Sequence, residues 1–194
     1  MSRFVHLVRH AVYRGHDEGR FLGRRDVDLS PSGEAQARRL RPLLADLRPV
    51  VYCCSPARRC RQTLALALPE AVAAAAIMPE LQEMDFGEWE GLTFVEMAER
   101  DPPRVARWAS FDPDFAFPGG ESLAGFLERV QAAAAQLVAR PEEHVVVFTH
   151  GGVIRALLCQ FLGLTPRDYL LFAIEPAGVV TVELFGEHGV LTRL

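Results

Sequence analysis

Lysine is absent from this 194-residue sequence, so all 21 of its basic residues are arginines. Asp and Glu together number 25, which gives a formal net charge of -4 and an isoelectric point near 5.9. This balance argues against nucleic acid or an anionic membrane surface as a partner, because both select proteins with a basic face. About half of the arginines nevertheless lie between Arg9 and Arg61, where a small anionic ligand would be well accommodated.

Long hydrophobic runs are also missing. No stretch reaches the roughly 18 apolar residues of a membrane-spanning helix. The opening segment MSRFVHLVRH has too short an apolar run for a signal peptide. Export and membrane association are therefore not expected, and the sequence predicts a cytoplasmic protein.

Paired cysteine motifs are a third absence. The four cysteines show no CxxC spacing of the kind that binds zinc. Cys53 and Cys54 are adjacent, and neighbouring residues of a strand face opposite ways. We expect buried, reduced thiols, with no metal, no disulfide and no cofactor.

The residues that are present predict one α/β domain over residues 1–194. Nearly half of them are hydrophobic, and this length suffices for a substantial core. Continuous apolar, β-branched runs predict buried strands in a sheet covered on both faces. These runs span Phe4–Val8, Val50–Cys54 and His144–Thr149.

Helix signals follow each predicted strand. A serine before a proline, at Ser30 and again at Ser55, predicts a capping hydroxyl with proline at the first helical position. The predicted helices span Pro31–Leu47, Pro56–Leu68, Ser122–Ala139 and Gly152–Leu162.

Two segments are harder to assign. The tail segments VVTVELF and VLTRL predict a hairpin or a pair of edge strands. Residues Asp101–Gly120 carry prolines and aromatics, and we predict one long irregular stretch there, suited to a lid or a substrate wall.

Side chains that could bind an anion lie at the carboxyl ends of the predicted strands. Arg9 and His10 end the first strand, and Arg59 lies in the first turn of the helix after the second. His150 and Gly151 separate the third strand from its helix. Ligands of open α/β sheets bind at this edge, guanidinium groups match phosphate oxygens, and a helix start offers free N–H groups. A neutral imidazole there is a competent nucleophile. The residues predict a phosphate site.

Six segments in this order resemble the histidine phosphatase, or phosphoglycerate mutase-like, superfamily. They are LVRHA at 7–11, RFLGRRDVDLSPSGEAQA at 20–37, SPARRCRQT at 55–63, LQEMDFGEWEG at 81–91, PGGES at 118–122 and THGGVIRALL at 149–158. The resemblance implies a three-layer α/β/α fold with a central, mostly parallel sheet. It also implies a metal-independent phosphatase that acts on a small-molecule phosphate ester.

The resemblance gives five residues their roles. His10 is implied to be the phosphorylated histidine, Arg9 and Arg59 the phosphate clamps, and His150 the second histidine. Glu83 is implied to be the general acid and later the general base, a choice that composition and spacing alone would not have made among so many carboxylates.

The sequence departs from the family around the nucleophile. Ala11 replaces the usual glycine, and Val12 and Tyr13 replace polar residues. These changes bear on efficiency and substrate rather than on reaction type, because the groups that do the chemistry are retained.

Further phosphate contacts are assigned by register. His16 occupies the position where many family members have an asparagine that contacts phosphate, and Leu22 and Gly23 follow in register. We assign these three residues, with Gly151, to the phosphate site.

The remaining histidines and arginines of these regions receive no functional role. His6, His144 and His188 are interpreted as strand or turn residues, and Arg14, Arg24 and Arg25 as surface charges.

Three functions remain open. The short length, FGEWEG and PGGES resemble the group of α-ribazole-5′-phosphate phosphatases and broad-specificity phosphatases. One alternative is a phosphoglycerate mutase, although the inserted basic segments of that enzyme are not found. The other is a non-catalytic phosphate binder. A homodimer is left open.

Overall fold

The computed structural model describes residues 3–48, 50–186 and 188–193. Within them, six strands form one mixed sheet in the order β3-β2-β4-β1-β5-β6. The strands are β1 (Arg3–Arg9), β2 (Val50–Cys54), β3 (Ala76–Ile77), β4 (His144–Thr149), β5 (Val179–Phe185) and β6 (His188–Arg193). Strands β1 to β4 are parallel, and β5 and β6 form the predicted antiparallel hairpin at one edge.

The sheet is buried on both faces, as the apolar runs predicted. Successive residues alternate between two hydrophobic clusters, so that Leu7 packs on one face and Val8 on the other. Cys53 and Cys54 likewise belong to opposite clusters, and all four cysteines are buried free thiols. The predicted three-layer α/β/α architecture is confirmed.

The helix predicted over residues 31–47 is two helices, α1 (Pro31–Arg38) and α2 (Arg41–Leu44). Ser30 caps α1 as expected, because its side chain accepts a hydrogen bond from the Gly33 N–H at 3.0 Å. The break arises from Pro42, which has no N–H to donate to the carbonyl of Arg38 and whose ring clashes with it.

Helix α3 (Arg58–Ala67) begins two residues later than predicted. The prediction that Ser55 is its N-cap was wrong, because Ala57 takes that position. The Ser55 hydroxyl accepts a hydrogen bond from the Ala57 N–H at 3.3 Å and also contacts His150. Arg59 still lies in the first turn of α3.

The segment 101–120 is not irregular throughout. Helix α4 (Phe94–Arg100) precedes it, and α5 (Pro102–Ala109) occupies its first half. The Asp101 carboxylate accepts a hydrogen bond from the Arg104 N–H at 3.1 Å, and Pro102 takes the first helical position. Pro102 and Pro103 therefore begin a helix within the segment that was predicted to be irregular.

Helices α6 (Leu123–Val138) and α7 (Gly151–Phe161) agree with the predictions to within one residue at each end. Both pack against the same face of the sheet. A 3-10 helix, Pro166–Leu171, follows α7. In the described part of the chain, no helix is long and apolar enough to cross a bilayer.

Candidate active site

The two histidines of the predicted site meet at the carboxyl edge of neighbouring strands. His10 follows β1, and its N–H donates a hydrogen bond to the Thr149 carbonyl at 2.9 Å. His150 follows β4 as the N-cap residue of α7. The ring centroids of His10 and His150 lie 5.3 Å apart. Parallel pairing of β1 and β4 in register produces this proximity.

His10 is held as a neutral imidazole with its Nε2 lone pair available. Its Nδ1 lies 2.9 Å from the Ala11 carbonyl oxygen, which only accepts, so Nδ1 carries the proton. Within the described residues Nε2 has no hydrogen-bond partner. Burial lowers the pKa of His10 well below its ordinary value, and Arg59 and Arg9 lower it further. A buried neutral imidazole of this kind is a nucleophile.

His150 is the opposite tautomer. An Nη2–H of Arg59 donates to its Nδ1 at 3.0 Å, so Nε2 carries the proton and donates to the Ser55 hydroxyl at 2.9 Å. Burial, then Arg59 and His10, lower the pKa of His150 well below its ordinary value. Arg59 therefore fixes the tautomer of His150, and Ser55 accepts the remaining ring N–H, a contact that the SPAR sequence alone did not show.

Arg59 is completely buried. Together with Arg9 and His10 it forms what we call the site floor. Besides His150, it donates to the carbonyl oxygens of Gly23 at 2.7 Å and Arg25 at 3.0 Å. These carbonyls orient the guanidinium without neutralising its charge. Among the described residues, Arg59 makes no ion pair with a carboxylate, although a buried charge is costly unless compensated.

Arg9 completes the cationic floor. Its Nη1–H donates to the Ile174 carbonyl at 2.6 Å, and burial lowers its pKa, although guanidinium stays charged. The Nε–H groups of Arg9 and Arg59 are both buried, and neither finds a hydrogen-bond partner in the described part of the chain. Buried donors without partners are rare, so these two point to a ligand that accepts hydrogen bonds.

Glu83 lies at the start of α7. Its Oε2 accepts a hydrogen bond from the Gly152 N–H at 3.0 Å, and its Oε1 accepts one from Met84 N–H at 3.0 Å. A Cβ at Gly152 would lie 2.3 Å from Glu83 Oε1 and 2.8 Å from the Tyr169 hydroxyl, so any other residue would displace these two groups. The structure places Glu83 and His10 on the same cavity.

The residues assigned to the phosphate site by register divide into two groups. His16, Leu22 and Gly151 line the cavity beside His10. Gly23 does not, and its N–H is donated to Glu90 at 2.9 Å. Its assignment as a direct phosphate contact is corrected: Gly23 positions Arg59 through its carbonyl oxygen. A Cβ at Gly23 would lie 1.9 Å from the Met84 carbonyl oxygen, which explains the glycine.

The departures from the family pattern are accommodated by packing. Ala11 is fully buried, and its N–H donates to the Thr63 hydroxyl at 3.1 Å. Val12 N–H donates to the Gln36 side chain at 3.1 Å. The Tyr13 ring lies edge-on to His16, with centroids 4.9 Å apart. Tyr13 therefore forms part of the wall between the two histidines, His10 and His16.

A cavity of about 560 Å³ opens above this floor. Aromatic rings form much of its wall, and the charged side chains of Arg9, Arg20, Glu83 and Arg155 also line it. The rings are those of Tyr13, Phe21, Phe86, Phe94, Trp108, Phe111, Phe126 and Tyr169. Within the segment 101–120, Trp108 and Phe111 line this cavity. Their role as a substrate wall stays a prediction. Tyr169 was missed, because nothing in its local sequence relates it to Glu83.

Comparisons with known proteins agree with this geometry. The model of the histidine phosphatase superfamily (branch 1) matches residues 5–194. Phosphoserine phosphatase 1 of Hydrogenobacter thermophilus is 32% identical over 190 residues, which cover 97% of this chain and 90% of that protein. The adenosylcobalamin/alpha-ribazole phosphatase of Escherichia coli is 29% identical over 171 residues, 87% of this chain and 84% of that protein.

A solved structure shows the same fold. The alpha-ribazole phosphatase of Shigella flexneri superposes with a TM-score of 0.87 at 25% identity, over 98% of this chain and 95% of that one. With the matched family model, these similarities establish that the chain is a phosphatase and belongs to the histidine phosphatase superfamily.

Proposed function

We propose that this protein is a metal-independent phosphomonoesterase that forms a phosphohistidine at His10 and hydrolyses it. The proposal rests on the hydrogen-bonding groups of the site floor that have no partner within the described residues. His10 and Arg9 line the same cavity, and Arg59 is buried beside them, in contact with His150. Within the described residues, Nε2 of His10 and the buried Nε–H groups of Arg9 and Arg59 have no hydrogen-bond partner. A phosphate dianion would accept both hydrogen bonds and compensate both charges.

In the first step, Nε2 of His10 attacks phosphorus. A nitrogen–phosphorus bond forms as the bond to the ester oxygen breaks, and the acid form of Glu83 protonates the departing oxygen. Arg9 and Arg59 stabilise the charge on the transferring phosphoryl oxygens. The Ala11 carbonyl stabilises the positive charge that develops on the ring of His10, because it accepts the Nδ1–H.

In the second step, water attacks the phosphohistidine. The Glu83 carboxylate removes a proton from the water as the nitrogen–phosphorus bond breaks, and inorganic phosphate leaves. Glu83 takes both roles because the second step reverses the geometry of the first. His150, kept neutral by burial and by Arg59, accepts a hydrogen bond from the Arg59 guanidinium and so holds it beside His10.

Within this class, the cavity favours an ester whose alcohol carries a flat, apolar ring system, as in α-ribazole-5′-phosphate. Aromatic walls bind planar groups by stacking and by excluding water. Phosphoserine presents a small zwitterion, which leaves most of the 560 Å³ and its rings without contacts. The phosphoglycerate mutase alternative would retain the same floor but requires a second substrate hydroxyl to take the phosphoryl group in place of water.

A substrate panel tests the proposal. We expect chelator-treated protein to release phosphate from α-ribazole-5′-phosphate with a kcat/KM at least tenfold above those for phosphoserine and 3-phosphoglycerate, about 1.4 kcal/mol of discrimination. A preference for phosphoserine would overturn the substrate assignment. Interconversion of 3- and 2-phosphoglycerate without phosphate release would establish the mutase, and binding of all esters without turnover would establish the non-catalytic binder.

A further inference from the structure

One arginine outside the site floor holds the segment that carries Glu83. Arg129 of α6 donates from Nη1 to the carbonyl oxygens of Glu80 at 2.8 Å and Gln82 at 2.7 Å, and from Nη2 to that of Glu83 at 3.3 Å. Three carbonyls within four residues thus converge on one guanidinium. The backbone at Glu83 is thus fixed by a residue that is not among those lining the cavity.

Arg129 is itself held by Glu121. Its Nε–H and its second Nη2–H donate to the two carboxylate oxygens of Glu121, both at 2.8 Å. The side chains of Arg129 and Glu121 are only 16% and 13% exposed. All five N–H groups of Arg129 therefore have acceptors, and the pair is of the bidentate, charge-assisted kind whose geometry is the most specific.

Glu121 links this pair to the PGGES segment. Its backbone N–H donates to the Asp85 carbonyl at 3.0 Å, two residues beyond Glu83. Gly120 packs against the same carbonyl, because a Cβ there would lie 2.5 Å from it. The segment 80–85 is consequently held at both of its ends, by Arg129 and by the backbone of residues 120–121.

We propose that Arg129, oriented by Glu121, is a positioning residue that sets the location of the Glu83 carboxyl group relative to the ester oxygen. The inference depends on the role of Glu83 in the proposed function. Arg129 donates to the backbone of Glu83 and leaves the carboxyl group to Gly152 and Met84. Arg129 thus positions the backbone of Glu83, and the N–H groups of Gly152 and Met84 position its carboxyl group.

A displaced general acid has a distinct kinetic signature. Alkoxide leaving groups need a proton, whereas p-nitrophenolate leaves without one. Misplacement of a catalytic group by about 1 Å costs about 10²-fold in rate. Loss of Arg129 should thus reduce turnover of alkyl phosphates far more than turnover of p-nitrophenyl phosphate.

The experiment measures kcat/KM for 2-phenylethyl phosphate and for p-nitrophenyl phosphate in each variant. The ratio of the two values does not depend on how much of the preparation is folded. For Arg129→Met we expect the alkyl ester to lose about 10²-fold and the aryl ester less than about tenfold. Glu121→Gln should shift the ratio in the same direction by less, and it carries the test if Arg129→Met is not recovered folded.

Two reference variants make the outcomes separable. Glu83→Gln gives the largest shift in the ratio, and Arg38→Met removes an exposed arginine–glutamate pair on α1 and leaves the ratio unchanged. If Glu83→Gln shifts the ratio and both Arg129→Met and Glu121→Gln reduce the two substrates equally, Arg129 has only a structural role and the inference is overturned. If Glu83→Gln itself leaves the ratio unchanged, the acid assignment fails, and the positioning role fails with it.

Discussion

Two histidine pairs link the same two strands. His6, in the middle of β1, contacts His144 at the start of β4, and His10 and His150 are neighbours just beyond the ends of the two strands. The ring centroids are 5.3 Å apart in both pairs. His6 and His10 are both buried, and burial lowers the pKa of each, that of His6 to about 4. Proximity, burial and pKa therefore do not distinguish His6 from His10.

Hydrogen bonding distinguishes them. His6 uses both ring nitrogens, Nδ1 with the Thr181 hydroxyl at 3.1 Å and Nε2 with His144 Nδ1 at 3.0 Å. His10 uses only Nδ1 within the described residues, and the arginines beside it keep partnerless N–H groups. A satisfied cluster stabilises the fold, whereas an incomplete one marks the place where a ligand completes it.

The largest test of this contrast replaces one histidine of each pair. We expect His10→Ala to reduce kcat by at least about 10³-fold, because the nucleophile itself is removed. His6→Ala should leave kcat/KM unchanged and lower the free energy of unfolding by about 1–3 kcal/mol, the cost of unsatisfied buried groups. Phosphate release and urea denaturation measure the two effects, and comparable losses of activity in both variants would end the distinction.

A second test removes the arginine fork from the site floor. Arg59→Lys keeps the positive charge but cannot maintain the donated hydrogen bonds to Gly23, Arg25 and His150. We expect kcat/KM to fall by about 10²- to 10³-fold. Its neighbour Arg58 is exposed and pairs with Asp28 at 2.9 Å, so Arg58→Lys should stay within about twofold of the unmodified protein. Equal activities for the two variants would show that charge alone suffices.

The smallest expected effect concerns the lowered pKa that His6 and His10 share. Below about pH 6.5 the unfolded chain binds a proton at each histidine, whereas the folded chain leaves His6 neutral down to about pH 4. Stability therefore falls as the pH falls through this range. His6→Gln should reduce the slope of unfolding free energy against pH by about 1.4 kcal/mol per pH unit between pH 6 and 4.5. An unchanged slope in denaturant titrations would contradict the lowered pKa.

Much of the fold could be predicted from local sequence. Continuous apolar runs identified β1, β2 and β4, and the Ser30–Pro31 signal identified the start of α1. The wrong helix predictions involve proline, which can either end a helix or occupy its first turn. Pro42 ends one helix and begins the next, and Pro102 begins a helix within a segment predicted to be irregular.

The candidate site residues could be predicted from the sequence, but the residues that position them could not. His10, Arg59 and His150 follow from the ends of strands and from a family resemblance. The contact between Gly23 and Arg59 joins residues 36 positions apart in the chain, those of Arg129 with the Glu83 segment 46 to 49, and that between Ser55 and His150 95. Such contacts depend on tertiary packing, and no local pattern encodes them.

The most direct test of the central claim is to trap the covalent intermediate. Protein mixed with substrate in the absence of metal is denatured in alkali within one turnover, digested and examined by mass spectrometry. We expect one phosphoryl group on Nε2 of His10, labile in acid, and none in His10→Ala. Turnover at the full rate with no phosphorylated His10 at any time would contradict this expectation, and would mean that water attacks the ester directly.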